Sequence, residues 1–167
     1  NELKMITLKK IETKKEREKL KSFYMAYLNE LSRYKIFDES FDIIVNEMCI
    51  AEKHRDDMFI MLNDKPIGFV MIGNYPNSFT DEDIYIQEFF IKGEYQNKGY
   101  GRQAVRCIAD KYKYKDISLF IIKTNQRAID FWPSALNEIE YFSRLEEGGI
   151  KAYSCDYDMM WDYYRKS

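Results

Sequence analysis

The stretch Ile84-Tyr-Ile-Gln-Glu-Phe-Phe-Ile91, followed by Gln96-Asn-Lys-Gly-Tyr-Gly101, decides the fold of this chain. The first segment is an apolar run of strand type. After the glycines, apolar side chains at Ala104, Val105 and Ile108 recur at the three-and-four spacing of a one-faced helix. The stretch therefore predicts a strand, a glycine-containing loop and a helix.

A glycine-containing loop at the start of a helix is suited to bind an anion. Backbone N–H groups there lack partners within the helix, and the helix dipole adds positive potential. Gly99 and Gly101 carry no Cβ atom that would block a phosphate oxygen, and basic side chains lie near the same helix end at Lys98, Arg102 and Arg106. The pattern predicts a pyrophosphate site, although an ordinary loop with two glycines has the same spacing.

Apolar periodicity predicts the elements on both sides of this unit. Upstream we expect a strand at residues 5–11, a helix at 16–34, a short helix at 41–51 and a hairpin of 58–62 with 67–72. Downstream we expect a strand at 117–122, a helix capped by Asn125, and two strands at 139–145 and 150–160 around a turn at 146–149. Antiparallel hairpins surround one strand-loop-helix-strand unit, so the fold class is α/β with a mixed sheet.

Composition limits the function classes. The chain has 167 residues, of which 46% are hydrophobic and 32% charged, as expected of one globular domain over residues 1–167. Lysine and arginine total 26 against 28 acidic residues, and this near balance argues against a general nucleic-acid binder. The sequence has no apolar run of the roughly 18 residues that a membrane helix needs, and its start lacks the order of a signal peptide. We therefore expect no nucleic-acid partner and no membrane partner.

Cysteine and histidine usage argues for a reducing compartment and against a metal site. Cys49, Cys107 and Cys155 lie far apart with no CxxC spacing, which disfavours a disulfide scaffold and a Cys-rich zinc site. A cytoplasmic location fits this usage best. His54 is the only histidine and lies in a polar run, so we expect a solvated loop residue that leaves a serine-type triad with only one candidate base.

Two motifs resemble those of the GCN5-related N-acetyltransferases (GNAT). Gln96-x-x-Gly99-x-Gly101 is similar to the family's (Arg/Gln)-x-x-Gly-x-(Gly/Ala), and Asn125-x-x-Ala128-x-x-Phe131-Trp132 is similar to its Asn-x-x-Ala-x-x-Phe-Tyr helix. Phe89-Phe90-Ile91 resembles the end of the family's splayed fourth strand, and the stretch at 88–95 is most similar to polyamine-type members. The specific resemblance covers about residues 84–132, and the order of elements fits over nearly the whole chain.

The resemblance implies a mixed, mostly antiparallel central sheet flanked by helices, with a splayed strand pair that forms an acyl-CoA cleft. It also implies acetyl-CoA as cosubstrate and no metal. The end of the fourth strand would hold the acetyl and pantetheine portion through main-chain groups, the glycine loop would cradle the pyrophosphate, and Asn125 would contact the cofactor from the other side. The implied cofactor-binding residues are Phe89, Phe90, Ile91, Gln96, Asn97, Lys98, Gly99, Tyr100, Gly101, Arg102, Asn125 and Trp132.

The implied activity is that of an N-acetyltransferase, which moves the acetyl group to a primary amine of a small molecule, peptide or protein by direct attack. A homodimer is compatible with this activity. Two departures from the family pattern bear on the mechanism. Trp132 stands where many members have a tyrosine that protonates the thiolate, and an indole N–H can only donate a hydrogen bond. Pro133 follows deep in the same helix, which we expect to kink, or to stop and restart.

Glu88 is the candidate general base, directly or through a water. It is the only carboxylate between Ile84 and Ile91, and it precedes the segment that should hold the acetyl group. Strand alternation places it on the face of Ile84, Ile86 and Phe90, where partial desolvation would raise its pKa and improve it as a base. A buried structural glutamate, paired with a lysine or with backbone, is the alternative.

Two other functions compete with acetyl transfer. Gly99-x-Gly101-x-x-Ala104 also fits the dinucleotide fingerprint of a Rossmann-type oxidoreductase, but residues 92–98 separate the glycines from the strand, and no acid directly follows the strand at 117–122. A non-catalytic acyl-CoA-binding module is the second alternative, because of the substitution at Trp132.

The acceptor is the least determined part of the prediction. In the similar family, the region at residues 35–56 lines the acceptor pocket, and here it contains Asp38, Glu39, Asp42 and Glu47. These carboxylates form either an acidic pocket for a cationic amine or a solvated helix face.

Overall fold

The strands form one seven-stranded sheet, in the order β1-β2-β3-β4-β5-β6-β7, in the computed structural model, which describes residues 3–74, 84–112, 117–122, 124–143, 150–155 and 162–164. The strands are β1 (Ile6–Lys10), β2 (Arg55–Leu62), β3 (Lys65–Gly73), β4 (Ile84–Ile91), β5 (Ile117–Ile122), β6 (Ile150–Cys155) and β7 (Asp162–Tyr164). β1 to β4 pair antiparallel, β4 to β6 pair parallel, and β6 pairs antiparallel with β7. This mixed order confirms the predicted fold class and differs from the parallel sheet of a dinucleotide-binding fold.

The helices are α1 (Lys14–Leu31), α2 (Phe41–Met48), α3 (Tyr100–Lys111) and α4 (Gln126–Ser143), and a 3₁₀ turn spans Gly93–Tyr95. α1 begins at a capping box, in which the Thr13 hydroxyl accepts from the Glu16 N–H at 3.1 Å and the Glu16 carboxylate accepts from the Thr13 N–H at 3.0 Å. The helices, the hairpin and the first strand predicted upstream of β4 are all present, so apolar periodicity located these elements correctly.

The sheet carries a hydrophobic layer on each face. On one face, strand residues that include Val70 and Ile72 pack with α3 and α4. On the other face, strand residues that include Phe69 and Met71 pack with α1 and α2. Helices therefore flank the sheet on both sides, as the resemblance implied.

A bulge in β4 changes which of its residues share a face. Met71 of β3 pairs with Glu88, but the next residue, Ile72, pairs with Ile86, so Gln87 is an extra residue in β4. The bulge places Glu88 toward α1, on the opposite face from Ile86. This corrects the prediction from simple alternation for Ile86, while the side chain of Ile84 lies outside the described part of the chain.

One prediction for the C-terminal part needs correction, because residues 139–143 belong to α4 instead of a strand. α4 also continues through Pro133, so of the two alternatives expected there the stop and restart is wrong. Apolar residues at Trp132, Ala135, Ile139 and Phe142 have helical spacing, which outweighs the short alternating pattern within the segment. Trp132 and Ala135 also bury this face in the core, which offsets the hydrogen bond that proline removes. Residues 144–149 and 156–160, parts of the predicted strands and turn, lie outside the described residues.

The register of β4 with β5 pairs residues 84–86 with residues 117–119. The predicted splaying of the two strands beyond this point stays a prediction. The end of β4, the loop that follows it and the first turn of α3 are consecutive in the chain. This places the glycine loop at the carboxyl end of β4.

Asp57 on β2 is the centre of a buried ionic network that the sequence did not predict. Asp57 is 2% exposed, and its carboxylate accepts from Arg55 Nε at 2.6 Å and from the guanidinium of Arg17 on α1. Arg55 also donates to the carbonyl oxygens of Met48 at 2.8 Å and Ile50 at 2.9 Å. The network therefore ties β2 to α1 and to the end of α2.

Candidate active site

A cleft of about 780 Å³ opens between α1, the end of β4, the glycine loop and the start of α4. Every predicted cofactor residue lines it except Lys98 and Tyr100. The lining members of that set are Phe89, Phe90, Ile91, Gln96, Asn97, Gly99, Gly101, Arg102, Asn125 and Trp132. The fold thus brings the two sequence motifs together in one cavity.

The glycine loop has a backbone that depends on its glycines. Asn97 and Gly99 both have left-handed backbone angles, with φ of 61° and 84°. Gly99 is the N-cap of α3, and Gln103 donates to its carbonyl at 3.2 Å. A Cβ atom at Gly101 would lie 3.0 Å from the ring of Phe131 across the cleft. Conformation therefore favours glycine at position 99, and space favours it at position 101.

Gln96 fixes the start of this loop. Its side-chain amide donates to the carbonyl oxygen of Ile91 at 2.5 Å and to the Glu30 carboxylate of α1 at 3.1 Å. The Glu30 carboxylate in turn forms an ion pair with Arg127 of α4, with 3.7 Å between Glu30 Oε1 and Arg127 Nη1. The sequence analysis did not identify Glu30, although Tyr27, Glu30 and Leu31 have the spacing of one helix face and all line the cleft.

The far wall of the cleft is the start of α4. The Asn125 side chain accepts from the Ala128 N–H at 3.1 Å, which confirms the predicted N-cap. Trp132 is 6% exposed, and its ring lies 5.1 Å from the rings of both Phe89 and Phe131. The aromatic side chains join the wall to the end of β4, so Trp132 is both a core residue and part of the cleft surface.

Lys98 and Tyr100, the two predicted cofactor residues that do not line the cleft, differ in solvent exposure. The Lys98 side chain is exposed, while Tyr100 is buried in the core with Ile91 and Ala104. Arg102, which does line the cleft, donates to the Ser134 hydroxyl of α4. The loop therefore offers its backbone and one guanidinium to the cavity, and the Tyr100 side chain serves packing.

Glu88 lies behind the cleft, against α1. The hydroxyls of Tyr27 and Tyr24 and the positive charges of Lys35 and Arg55 all favour its ionised form and act to lower its pKa. Burial outweighs these effects and raises the pKa of Glu88 from 4.5 to about 7. The predicted upward shift of its pKa is thus confirmed. The same burial, with the nearby carboxylate, raises the pKa of both tyrosines well above their ordinary value.

Of the two alternatives for the acidic residues within 35–56, the structure supports solvated side chains and not an acidic pocket. The side chains of Asp38, Glu39, Asp42 and Glu47 are all exposed, and none is among the residues that line the cleft. A smaller pocket of about 250 Å³ adjoins the cleft and shares Glu30 with it. Glu30 and Asp130 are the carboxylates among the described residues that line the cleft, and of these two only Glu30 also borders the smaller pocket.

Other predicted features lie away from the cleft. His54 is exposed, as expected of a loop residue. Within the described residues, no group of three or more histidine, cysteine, aspartate or glutamate side chains is arranged to hold a metal ion. None of the helices, over the portion of the chain that the structure describes, is long and apolar enough to cross a membrane.

Comparisons with known proteins agree with the resemblance that the two motifs carry. The acetyltransferase (GNAT) family matches residues 17–136 of the chain. The spermine/spermidine N(1)-acetyltransferase of Bacillus subtilis (strain 168) is 36% identical over 72 residues, which cover 38% of this chain and 46% of that relative. The chain thus aligns with less than half the length of the curated relatives it matches.

Solved structures with a similar fold include two acetyltransferases. An acetyltransferase from Thermus thermophilus has a TM-score of 0.64 at 17% identity, covering 96% of each chain. The PaiA N-acetyltransferase of Thermoplasma acidophilum, in complex with coenzyme A, has a TM-score of 0.57 at 15% identity, covering 77% of this chain and 87% of that one. At these identities the likeness concerns the fold.

Proposed function

Because the chain belongs to the GNAT acetyltransferase family, we propose that it transfers the acetyl group of acetyl-CoA to a primary amine and that the cleft is its active site. One observation carries the proposal: the left-handed glycine loop at the start of α3 and the end of β4 line the same cavity. The first element suits a phosphate group, and the second suits an extended chain, as the two ends of acetyl-CoA require.

The loop and α3 would hold the pyrophosphate. N–H groups in the first turn of α3 lack helical partners, and the positive end of the helix dipole lies at Gly99. The guanidinium of Arg102 adds a charged donor at the cleft surface. The absence of a Cβ atom at Gly99 and Gly101 leaves room for close approach of phosphate oxygens. These features fit the cofactor that the family uses.

The end of β4 would hold the pantetheine and the acetyl group. Phe89, Phe90 and Ile91 line the cleft beyond the last residue that pairs with β5. An extended ligand can add to such an edge through main-chain hydrogen bonds. The aromatic rings of Phe89, Phe131 and Trp132 give the adjoining wall an apolar surface. Asn125 and Arg127 complete the cleft from α4.

We propose that the protein's own residues remove a proton from the attacking amine. Bound acetyl-CoA supplies the thioester carbonyl that the amine attacks. With a pKa near 7, Glu88 is ionised above neutral pH and accepts a proton readily at neutral pH. Trp132 lines the cleft but can only donate a hydrogen bond to the leaving sulfur, because its indole N–H is not an acid at these pH values.

We infer a cationic acceptor of polyamine type. The partial similarity to a spermine/spermidine acetyltransferase supports this class. So does Glu30, whose carboxylate borders both the cleft and the adjoining pocket of about 250 Å³. A second ammonium group of a polyamine would pair there with Glu30 or Glu94, beside Arg33 and Lys92, and would compete with Arg127 for Glu30.

The test is a CoA-release assay with acetyl-CoA and matched amines, combined with calorimetric CoA binding. Spermidine is compared with hexylamine, which has one amine and no second cationic group. We expect release with spermidine, and kcat/KM at least about tenfold lower with hexylamine. Binding of CoA without release for any amine supports the non-catalytic acyl-CoA-binding alternative, and absence of binding contradicts the cofactor assignment.

A further inference from the structure

Glu30 lies at the boundary between the cleft and the smaller pocket of about 250 Å³. Among the described residues, only Glu30 and Phe90 line both cavities. The other residues of the smaller pocket belong to α1, to the turn after it and to the segment that follows β4. Glu30 is thus the charged side chain through which a ligand in one cavity can affect the other.

The Glu30 carboxylate has partners from two other elements. The Gln96 side-chain amide donates to it at 3.1 Å and to the Ile91 carbonyl oxygen at 2.5 Å, so this contact belongs to the glycine loop. Arg127 of α4 lies 3.7 Å away, with its side chain 42% exposed and that of Glu30 24% exposed. An ion pair as long and as open as this is weak. Arg127 can therefore leave Glu30 at small cost, while Gln96 keeps the carboxylate in place.

Opening of this ion pair needs movement of side chains only. The Thr124 hydroxyl donates to the Tyr34 carbonyl oxygen at 2.7 Å. This hydrogen bond joins the turn before α4 to the segment after α1, and it does not depend on the charges of Glu30 and Arg127. The start of α4 therefore stays beside the end of α1 when the ion pair opens.

The charges around Glu30 show why the ion pair matters for a cationic acceptor. Lys92 and Glu94 line the smaller pocket, and Lys92 Nζ lies 3.7 Å from Glu94 Oε1. Arg33 also lines this pocket. With Arg127 on Glu30, three cations face two carboxylates, whereas two of each sign remain once Arg127 has left. A second ammonium group is therefore accepted more readily after Arg127 is drawn away.

From this geometry we propose that Arg127 exchanges Glu30 for a phosphate group of bound CoA, and that the second ammonium group of the acceptor takes its place on Glu30. The inference rests on the proposed function and assigns Arg127 the coupling of the two binding sites. Each charge has a partner before and after this exchange, and no covalent bond changes.

Arg127 is suited to the exchange because its own side chain lines the cleft. Guanidinium groups bind phosphate strongly, and CoA brings several phosphate charges into the cavity. Asp130, the other carboxylate among the described residues that line the cleft, accepts from the Gln126 side chain at 2.8 Å. Phosphate is therefore the new partner that we expect for the released guanidinium.

The exchange makes the two ligands bind cooperatively. CoA draws Arg127 from Glu30 and so prepares the carboxylate for the acceptor, while an acceptor on Glu30 frees Arg127 for CoA. Linkage requires that the two effects be equal in size. The free energy of a partly exposed ion pair limits each effect to about fivefold in affinity.

Calorimetry with spermidine and CoA tests the exchange in the full chain, at one fixed, low ionic strength. In the wild type, saturation with either ligand should tighten binding of the other about fivefold. Arg127→Gln without CoA should bind spermidine about as tightly as the CoA-saturated wild type does, and CoA should then change this affinity less than about twofold. A variant that keeps the wild-type ratio, or that binds spermidine no better without CoA, overturns the exchange.

Arg33→Gln is the matched control, because it removes a cation that lines the smaller pocket but not the cleft. It should tighten spermidine binding by the same factor with and without CoA, and so keep the wild-type ratio. An equal loss of the ratio in both variants overturns the exchange, because it indicates a general effect of charge. The same ratio in all three proteins also overturns it, since direct attraction between spermidine and CoA then accounts for the cooperativity.

The CoA-release assay separates failure of the exchange from failure of the proposed function. A wild-type protein that acetylates spermidine, but binds it equally well with and without CoA, overturns the exchange alone. A protein that binds CoA and neither binds nor acetylates spermidine overturns the polyamine acceptor and the exchange together. Cooperative binding without acetylation of any amine supports the exchange in a non-catalytic acyl-CoA-binding module and overturns the proposed transfer.

Discussion

Glu88 is the residue in which burial and function are most closely linked. Its raised pKa, about 7, places the change of charge in the range where an amine acetyltransferase would operate. We predict that Glu88→Gln lowers kcat/KM for the amine about a hundredfold at neutral pH, with partial recovery at higher pH as free amine becomes available. CoA affinity, measured by calorimetry, should stay within threefold of wild type.

Glu39→Gln is the matched control for this prediction, because Glu39 is exposed and does not line the cleft. It should leave kcat/KM and its pH profile as they are. A Glu88→Gln variant with the wild-type rate and profile would show that Glu88 is structural and that the base lies elsewhere.

The same carboxylate should make stability depend on pH. A carboxyl whose folded pKa is raised binds more protons in the native state than in the unfolded state, so the wild type loses stability as pH rises from about 4.5 to about 7. Glu88→Gln lacks this loss. We predict that its free energy of unfolding, relative to wild type, increases by about 1 to 3 kcal/mol between about pH 5 and pH 8. Urea unfolding at both pH values measures the change, and a constant difference contradicts it.

Trp132 is a second residue for which an experiment can distinguish packing from a role in the reaction. The indole packs against Phe89 and Phe131 and cannot act as a proton donor to the thiolate. We predict that Trp132→Phe leaves the chemical step, measured in single turnovers, within a few-fold of wild type. A loss of about a thousandfold in a folded variant would show that the indole is required for departure of the leaving group.

At the scale of elements, the start of α3 is where the glycine motif of the sequence and the observed backbone conformation agree most closely. Gly99 has a φ of 84°, so any side chain there is strained, and aspartate also puts a negative charge where phosphate belongs. We predict that Gly99→Asp lowers CoA affinity at least about tenfold, or roughly 1.4 kcal/mol, in calorimetry.

Gly93→Asp is the control for that substitution. Gly93 begins the 3₁₀ turn, is exposed, and an added Cβ atom there meets nothing within 4 Å. It carries the same change of charge outside the cleft and should leave CoA affinity unchanged. Equal affinities in the folded Gly99→Asp and Gly93→Asp variants would exclude the loop as the phosphate site.

The elements also show what the sequence could and could not predict. Periodicity located α1, which buries one apolar face, and continuous apolar runs located the hairpin, whose strands are buried on both faces. It failed where the period changes within an element. The extra residue Gln87 in β4 moves Glu88 to the other face from Ile86, and an inserted residue leaves no mark in an alternating pattern. Glu30 was missed for a different reason, because its role depends on contacts with Gln96 and Arg127 from distant segments.

At the scale of the whole molecule, the sheet separates two layers that differ in character. The layer with α3 and α4 is a hydrophobic core that reaches the cleft through Trp132. The layer with α1 and α2 contains polar groups, namely half-buried Glu88 and Tyr27 with buried Tyr24, and the buried network of Asp57. Motifs predicted the cleft and the sequence predicted the desolvation of Glu88, whereas the network of Asp57 became visible only from the three-dimensional arrangement.

The network of Asp57 should therefore dominate the stability of the α1 and α2 layer. Asp57 joins Arg17 of α1 to Arg55 of β2, and the side chains of Asp57 and Arg55 are 0% and 1% exposed. Asp57→Asn keeps the shape but removes the carboxylate shared by buried Arg55, which retains only a pair with exposed Glu52 at 3.5 Å, and half-buried Arg17. Breaking a buried ion pair in this way costs about 3 to 5 kcal/mol. We predict a loss of this size in urea unfolding, with an unchanged m-value.

Glu18→Gln is the matched comparison, since the ion pair of Glu18 with Lys21 at 3.1 Å lies at the surface. Its loss should cost at most about 0.5 kcal/mol, because water and side-chain freedom compensate an exposed pair. Equal effects of the two substitutions would mean that the Asp57 network contributes no more than a surface pair. A large loss for Asp57→Asn alone, with CoA affinity retained below the unfolding transition, would show that this layer stabilises the fold independently of the cofactor cleft.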